Sequence, residues 1–143
     1  MKKITRTALL PYSAQQVYDL VNDVAAYPQF LPWCGGSQVL SASEFEMQAQ
    51  VTIAKAGIKQ TFTTRNHLVP GQRIEMQLLD GPFKSLRGEW NFKVLDVDAC
   101  KILFEVEFEV SSGLLNAAIG PIFEQIANTL VDAFCVRAKQ VYG

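Results

Sequence analysis

The sequence predicts an α+β fold in which a curved antiparallel sheet of about seven strands wraps around one long C-terminal helix, with two short helices after the first strand. Between 37 and 111, apolar and polar residues alternate with a period of two, most clearly in 45–53, 86–94 and 102–110. After Gly113 the apolar spacing becomes helical. Short turns between successive strands favour an antiparallel meander, and the last helix can cover its apolar face.

The N-terminal elements follow from local signals. The first ten residues form a predicted strand that ends at Pro11. Ser13, followed by Gln16, has the pattern of a capping box. Apolar residues then recur at helical spacing, which predicts a helix over about 14–23. Pro28 interrupts this pattern and indicates a turn or a second short helix.

A turn at 56–57 fixes the register of one predicted hairpin. It places Val51 opposite Phe62 on the inner face of the sheet. The same face receives two polar residues, Thr64 and Asn66. Either the sheet edge is wet at this point, or these side chains line an internal pocket.

A second hairpin is predicted around a turn near Val97–Asp98. This turn would place Trp90 opposite Val106 on the inner face and Arg87 opposite Glu109 on the outer face.

The C-terminal helix is predicted from about 114 to 141. Its apolar stripe begins at Leu115 and recurs every three to four residues. Gly120–Pro121 interrupts the pattern, so we expect a kink or a break there, with a continuous helix over 121–141.

The composition is typical of a globular protein. The 143 residues are 49% apolar and 19% charged, which predicts one domain over 1–143. The net charge of -1 argues against DNA binding, because nonspecific binding of nucleic acid needs a cationic excess. Three cysteines without a CxxC pair suit a reducing compartment. No signal peptide or membrane span is apparent, so we expect a cytoplasmic protein, and a peripheral position at the inner face of the membrane is compatible with this.

Candidate catalytic groups are few. His67 is the one histidine, and the alternation places it on the outer face. Glu105, Glu107 and Glu109 share the solvent face, where a general acid–base pair lacks a desolvated site. Cys34 follows a tryptophan in a loop, and a half-buried, inert thiol is favoured over a reactive one. We therefore expect no catalytic residue, no metal site and no enzymatic activity.

Two predicted loops are unusually apolar. One is 27–34, with three large apolar residues and two prolines, and the other is 81–84. Loops of this composition either cap the open end of the core, form the mouth of a pocket, or touch a membrane or a partner.

Four motifs carry a family resemblance over essentially the whole chain: YPQFLPWC at 27–34, DGPFKSLRGEWNF at 80–92, FEVEFEVS at 104–111 and AFCVRA at 133–138. The sequence resembles the coenzyme Q-binding START-like family of the polyketide cyclase/dehydrase-like superfamily. The resemblance implies a helix-grip fold, the architecture predicted above. It also implies two functions: mitochondrial relatives bind ubiquinone and support respiration, and bacterial members bind the large ribosomal subunit and block its joining to the small one.

Three hypotheses follow. In the first, the protein binds an apolar lipid-like ligand, ubiquinone or a related polyprenyl quinone, and needs no other cofactor. The mouth would be Pro32, Trp33 and Phe83, and the inner faces would supply Phe62, Trp90, Phe92, Phe104, Phe108, Phe123 and Ile126. In the second, outer basic residues dock on the large ribosomal subunit: Lys55, Lys59, Arg65, Lys84 and Arg87. The third is an enzyme of the polyketide cyclase or dehydratase type, since fold alone does not determine function.

Overall fold

The computed structural model describes residues 1–113 and 117–143 and confirms the predicted α+β architecture. Its elements are β1 (Lys2–Leu10), α1 (Ala14–Asn22), a 3-10 helix (Val24–Gln29), β2 (Cys34–Ala42), β3 (Glu46–Lys55), β4 (Ile58–Val69), β5 (Arg73–Asp80), β6 (Phe83–Asp96), β7 (Ala99–Val110) and α2 (Ile119–Tyr142). The described strands form an antiparallel sheet in the order β1-β7-β6-β5-β4-β3-β2. Thus β2 to β7 form a meander, and β1 pairs with the last strand.

The N-terminal predictions are confirmed. Ser13 and Gln16 form the capping box: Ser13 Oγ accepts from the Gln16 N–H at 3.1 Å, and Gln16 Oε1 accepts from the Ser13 N–H at 3.0 Å. The 3-10 helix contains Pro28 and takes the place of the turn or second short helix.

The β3–β4 hairpin has the predicted register. Val51 pairs with Phe62, and Ala49 pairs with Thr64. The turn residues Ala56 and Gly57 have φ angles of 54° and 79°, the left-handed values that a two-residue hairpin turn requires.

The β6–β7 hairpin differs from the predicted register by two residues. Trp90 pairs with Phe104, and Arg87 pairs with Glu107. A register irregularity between Val94 and Asp96 takes up residues before the turn. Because the shift is even, every side chain keeps its predicted face.

The kink expected in the C-terminal helix is absent from α2 as described. Gly120 and Pro121 lie in its first turn, where a proline disrupts no intrahelical bond because the N–H would be unpaired anyway. The predicted helix start at 114 and its apolar residue Leu115 lie outside the described residues.

Helix α2 lies against the inner face of the sheet. Its buried residues share one stripe: Ile119, Phe123, Ile126, Ala127, Val131, Phe134 and Ala138. At the C-terminal end, the Tyr142 hydroxyl donates to the Gln16 carbonyl at 2.8 Å and so ties α2 to α1.

Candidate functional site

A cavity of about 100 Å³ lies between the sheet and α2. The inner faces of β3 to β7, one face of α2, the 3-10 helix and the loop after it form its wall. The lining residues are Val24, Tyr27, Trp33, Ala49, Val51, Phe62, Thr64, Asn66, Met76, Leu86, Gly88, Trp90, Phe104, Val106, Phe123, Ile126, Ala127 and Leu130. A mostly apolar cavity with a few polar groups is the usual form of a small-molecule site.

The helical part of the wall comes from one stripe of α2. Phe123, Ile126, Ala127 and Leu130 recur at helical spacing and all face the cavity. Ala127 is 2% exposed and has the smallest side chain of the four, so it leaves part of this space unfilled.

The aromatic part of the wall is held by ring packing. Trp90 stacks on Phe104 with ring centroids 4.4 Å apart, and its ring lies perpendicular to that of Phe134 of α2, with centroids 5.4 Å apart. These contacts fix Trp90 in one orientation, and aromatic pairs of this kind contribute roughly 0.5–1.5 kcal/mol beyond their buried area.

The two polar inner-face residues lie in the cavity wall and not at a wet edge. Thr64 and Asn66 are 6% and 5% exposed. The Thr64 hydroxyl donates to Asn66 Oδ1 at 2.8 Å. No hydrogen bond among residues 1–113 and 117–143 uses the side-chain amide nitrogen of Asn66. This leaves an amide donor for an acceptor inside the cavity.

The sheet wall is thin at Gly88. A Cβ there would lie 2.6 Å from Met76 Cε. Both residues line the cavity and also a depression on the outer face of the sheet. The missing side chain therefore makes room for the flexible end of Met76.

Tyr27 is an ionisable residue in the lining. Burial, reinforced by the negative charge of Asp23, raises the pKa of its phenol well above the usual value. The hydroxyl donates to the Val21 carbonyl at 2.5 Å. Tyr27 is thus a neutral, structural part of the wall at ordinary pH.

Six of the ten residues predicted for the ligand site line the cavity: Trp33, Phe62, Trp90, Phe104, Phe123 and Ile126. The other four, Pro32, Phe83, Phe92 and Phe108, lie outside the lining. Sequence reasoning missed Met76 and the aliphatic lining residues other than Ile126, because alternation identifies the inner face without showing where that face is left uncovered.

An aromatic cluster explains two of these exceptions. Phe123 packs against Phe83 at 4.9 Å and against Phe108 at 4.7 Å between ring centroids. Phe83, predicted at the mouth, is 5% exposed. The cluster therefore closes this end of the core instead of opening it.

The remaining exceptions lie at the other end of the core and on the surface. Phe92 packs against Tyr18 of α1 at 5.5 Å, beyond the cavity. Pro32 is exposed and lines an external groove.

Trp33 separates the cavity from this groove. The groove has a volume of about 320 Å³ and is lined by Leu31, Pro32, Trp33, Lys55, Gln125, Thr129 and Ala133. Trp33 lines both spaces and so lies at their shared boundary. Lys55, expected on the outer face, lies in this groove instead.

The groups considered for chemistry lie away from the cavity. His67 is exposed, and in the strand register it lies opposite Glu46 of β3 and Glu75 of β5. Cys34 is 7% exposed, and burial raises the pKa of its thiol. Within the described residues, no three His, Cys, Asp or Glu side chains are placed to hold a metal ion. None of the helices in this part of the chain is long and apolar enough to cross a membrane.

Solved structures share the fold. The 18 kDa protein CC1736 from Caulobacter crescentus is 32% identical, with a TM-score of 0.76 over 100% of this chain and 99% of that chain. The Zhui aromatase/cyclase from a Streptomyces species has a TM-score of 0.84 over 97% of this chain and 94% of that chain. Its identity is 17%, so this likeness shows the fold alone.

Two curated relatives align with nearly the whole of this chain. The ribosome association toxin RatA of Pseudomonas aeruginosa is 57% identical over 140 residues, which are 98% of this chain and 97% of the relative. The mitochondrial coenzyme Q-binding protein COQ10 homolog B of Xenopus laevis is 28% identical over 97% of this chain and 59% of the relative. The family model described as polyketide cyclase / dehydrase and lipid transport matches residues 10–135. The chain belongs to this family.

Proposed function

We propose that the protein binds an apolar ligand of the polyprenyl quinone class, such as ubiquinone, in the cavity between the sheet and α2. The observation that carries the proposal is the aromatic-lined cavity with the Thr64–Asn66 pair in its wall. A quinone combines a flat ring, which suits the Trp90 and Phe104 surfaces, with carbonyl oxygens that can accept from the Asn66 amide.

The size of the cavity sets how such a ligand would bind. About 100 Å³ is less than the roughly 150 Å³ that holds one benzene molecule in an engineered cavity. A substituted ring would therefore need movement of flexible wall residues such as Met76. The prenyl tail would pass Trp33 into the groove, where burial of apolar surface stabilises the complex by about 25 cal/mol per Å².

The relatives support a ligand of this kind. The name of the COQ10 homologue includes coenzyme Q binding, and the family description includes lipid transport. A quinone carrier would pick up its ligand during transient contact with a membrane and would support respiration.

The chemistry of the wall favours binding over catalysis. Among the described residues, the one ionisable side chain in the cavity is Tyr27, whose raised pKa keeps it protonated. A cyclase or dehydratase would need a group that exchanges a proton near neutral pH. We therefore propose a non-enzymatic role, although the family description includes enzymes.

Mass spectrometry of organic extracts tests the proposal. Wild-type protein purified from a quinone-producing bacterium is expected to release a polyprenyl quinone. Ala127→Leu places an isopropyl group in the cavity and should eliminate the quinone while the protein stays folded. Gln140→Leu places a leucine at an exposed position of α2, outside the cavity, and should retain the quinone. A wild-type extract without quinone, or equal amounts from both variants, would contradict the proposal.

A second candidate function is association with the large ribosomal subunit. Its support is the 57% identity to a relative named as a ribosome association toxin. Of the five basic residues considered for docking, Arg87 lies 3.2 Å from Glu107 and Lys84 lies 4.0 Å from Glu109, so acids partly neutralise both. Arg65 is neutralised in the same way, since it lies 3.0 Å from Glu46. Lys59 on β4 is exposed and forms no ion pair among the described residues, so it is better placed for an rRNA phosphate.

Sucrose gradients test this candidate. Overexpression should raise the ratio of free subunits to joined ribosomes, and the protein should sediment with the large subunit. Lys59→Glu should weaken this association more at low than at high salt. An unchanged subunit ratio would exclude the role.

A further inference from the structure

We infer that the groove outside Trp33 is a second subsite of the cavity, and that the joined site takes single-chain amphiphiles with an anionic head group. Lys55 would bind the head group, and the acyl chain would pass Trp33 into the cavity. This inference rests on the proposed apolar ligand site and extends it from neutral quinones to long-chain carboxylates.

The first support is continuity. The groove of about 320 Å³ and the cavity of about 100 Å³ share the Trp33 side chain as their common wall. Helix α2 lines both spaces along neighbouring stripes, with Gln125 and Thr129 facing the groove and Ile126 and Leu130 facing the cavity. A chain that crosses Trp33 therefore stays against the same helix.

The second support is the lining of the groove. Leu31, Pro32, Trp33 and Ala133 supply an apolar floor, against which a methylene chain can pack. Lys55 and Gln125 supply polar groups at the same site. The Thr129 hydroxyl already donates to the Gln125 carbonyl at 3.1 Å, so the cation of Lys55 is the strongest donor for a ligand.

The third support is charge. Lys55 forms no ion pair within 1–113 and 117–143. The sequence from 47 to 74 contains no Asp or Glu, although the whole chain carries a net charge of -1. Lys59 lies on β4, the other strand of the same hairpin, where it is paired with Ala54. Its charge adds to the local positive potential. An anionic head group complements this region, whereas a cationic one would be repelled.

Matched ligands test the inference. Isothermal titration calorimetry would compare dodecanoate with dodecanol, which share a chain and differ in charge. Wild-type protein should prefer dodecanoate by about fivefold at low salt, the effect of one partly exposed ion pair. The preference should shrink as salt is added.

Two variants locate the charge. Lys55→Met keeps a long apolar side chain and removes the cation, so it should bind both ligands equally. Lys59→Met removes a cation on the outer face of β4 and should keep most of the preference.

The outcomes separate the two ideas. If a short-tailed quinone binds but wild-type protein does not prefer dodecanoate, or if Lys55→Met keeps the preference, the second subsite is wrong and the proposed quinone site stands. If quinone, dodecanoate and dodecanol all fail to bind, the proposed cavity function is wrong, and the subsite with it. The salt dependence is measured on wild-type protein, so a folding defect in one variant leaves the test intact.

Discussion

At the scale of single residues, the Thr64–Asn66 pair is the least expected feature of the core. Both side chains are buried among apolar neighbours, yet the Asn66 amide nitrogen has no acceptor among the described residues. An apolar pair at these positions would fill the same space without a polar group. The pair is therefore consistent with selection for an acceptor that enters the cavity.

Removal of this pair should change ligand preference more than stability. The double variant Thr64→Val/Asn66→Leu replaces both polar groups together, so neither is left without a partner. We expect quinone affinity to fall by about tenfold, the value of one hydrogen bond, while the affinity for an alkylbenzene with the same tail stays the same. Calorimetric titration of both ligands measures the difference.

Thr52→Val provides the control, because Thr52 bonds Thr61 at 2.8 Å on the outer face of the same strands. Equal losses for quinone and alkylbenzene in the double variant would indicate a packing defect and contradict an acceptor role.

The buried phenol of Tyr27 predicts a loss of stability in alkali. Its folded-state pKa is raised above the unfolded value, so its contribution is complete below pH of about 10 and is lost as the pH rises further. Tyr27→Phe removes this titration. The variant should be less stable by about 1 kcal/mol at pH 7, because it lacks the bond to Val21, and should lose less stability between about pH 9 and 11.

Urea unfolding across this pH range measures both effects. Parallel pH profiles for wild type and Tyr27→Phe would show that the phenol does not control the alkaline transition.

At the scale of elements, Met76 of β5 and Gly88 of β6 meet at a point in the sheet that borders both the cavity and the outer depression. Gly88→Ala would bring a Cβ to 2.6 Å from Met76 Cε, which is too close for a van der Waals contact. The flexible side chain of Met76 would therefore have to move. Since Met76 also lines the cavity, we expect it to occupy part of the ligand space. Ligand affinity should fall by about tenfold, with a stability change below about 1.5 kcal/mol.

Gly36→Ala on β2 is the matched control, because nothing lies within 4 Å of a Cβ at that position. Calorimetry measures ligand affinity and thermal unfolding measures stability for both variants. If Gly88→Ala binds ligand like wild type, Met76 moves away from the cavity, and the proposed link between Gly88 and ligand affinity is wrong.

At this scale, the faces of the strands were predictable from the sequence, but not every register or strand end. Alternation predicted the inner and outer faces of β6 and β7, and the turn at 56–57 predicted the β3–β4 register. The β6–β7 register was wrong by two residues, and a bulge near the turn, which adds one residue to β6, accounts for one of them without leaving a mark in the alternation. Phe45 begins one alternating run, but it precedes β3 and is 63% exposed. Strand ends are set by the backbone pairing of their neighbours.

At the scale of the whole molecule, the sequence predicted the layers but not the space between them. A helix with one apolar stripe must cover the apolar face of the sheet, and this fixes the overall architecture. Whether the layers touch depends on small residues at the contact, such as Ala127 and Gly88, and on how the phenylalanines near Phe123 pack together. These are differences of a few ångströms, which a pattern of apolar and polar residues does not record.

Ligand exchange should be governed by Trp33, because this side chain lies between the cavity and the groove. Trp33→Ala would join the two spaces permanently. We expect faster association and faster dissociation of a short-tailed quinone, each by about tenfold or more, with a smaller change in the equilibrium constant. Stopped-flow quenching of the fluorescence of Trp90, which lines the cavity, measures both rates.

Pro32→Ala is the control, since Pro32 lines the groove without reaching the cavity. Its rates should stay close to those of wild type. If Trp33→Ala lowers affinity through the dissociation rate alone, Trp33 acts as a binding contact and not as a gate. The ligand would then have to pass another part of the wall, and the thin region at Gly88 and Met76, which borders both the cavity and the outer depression, is the place to examine.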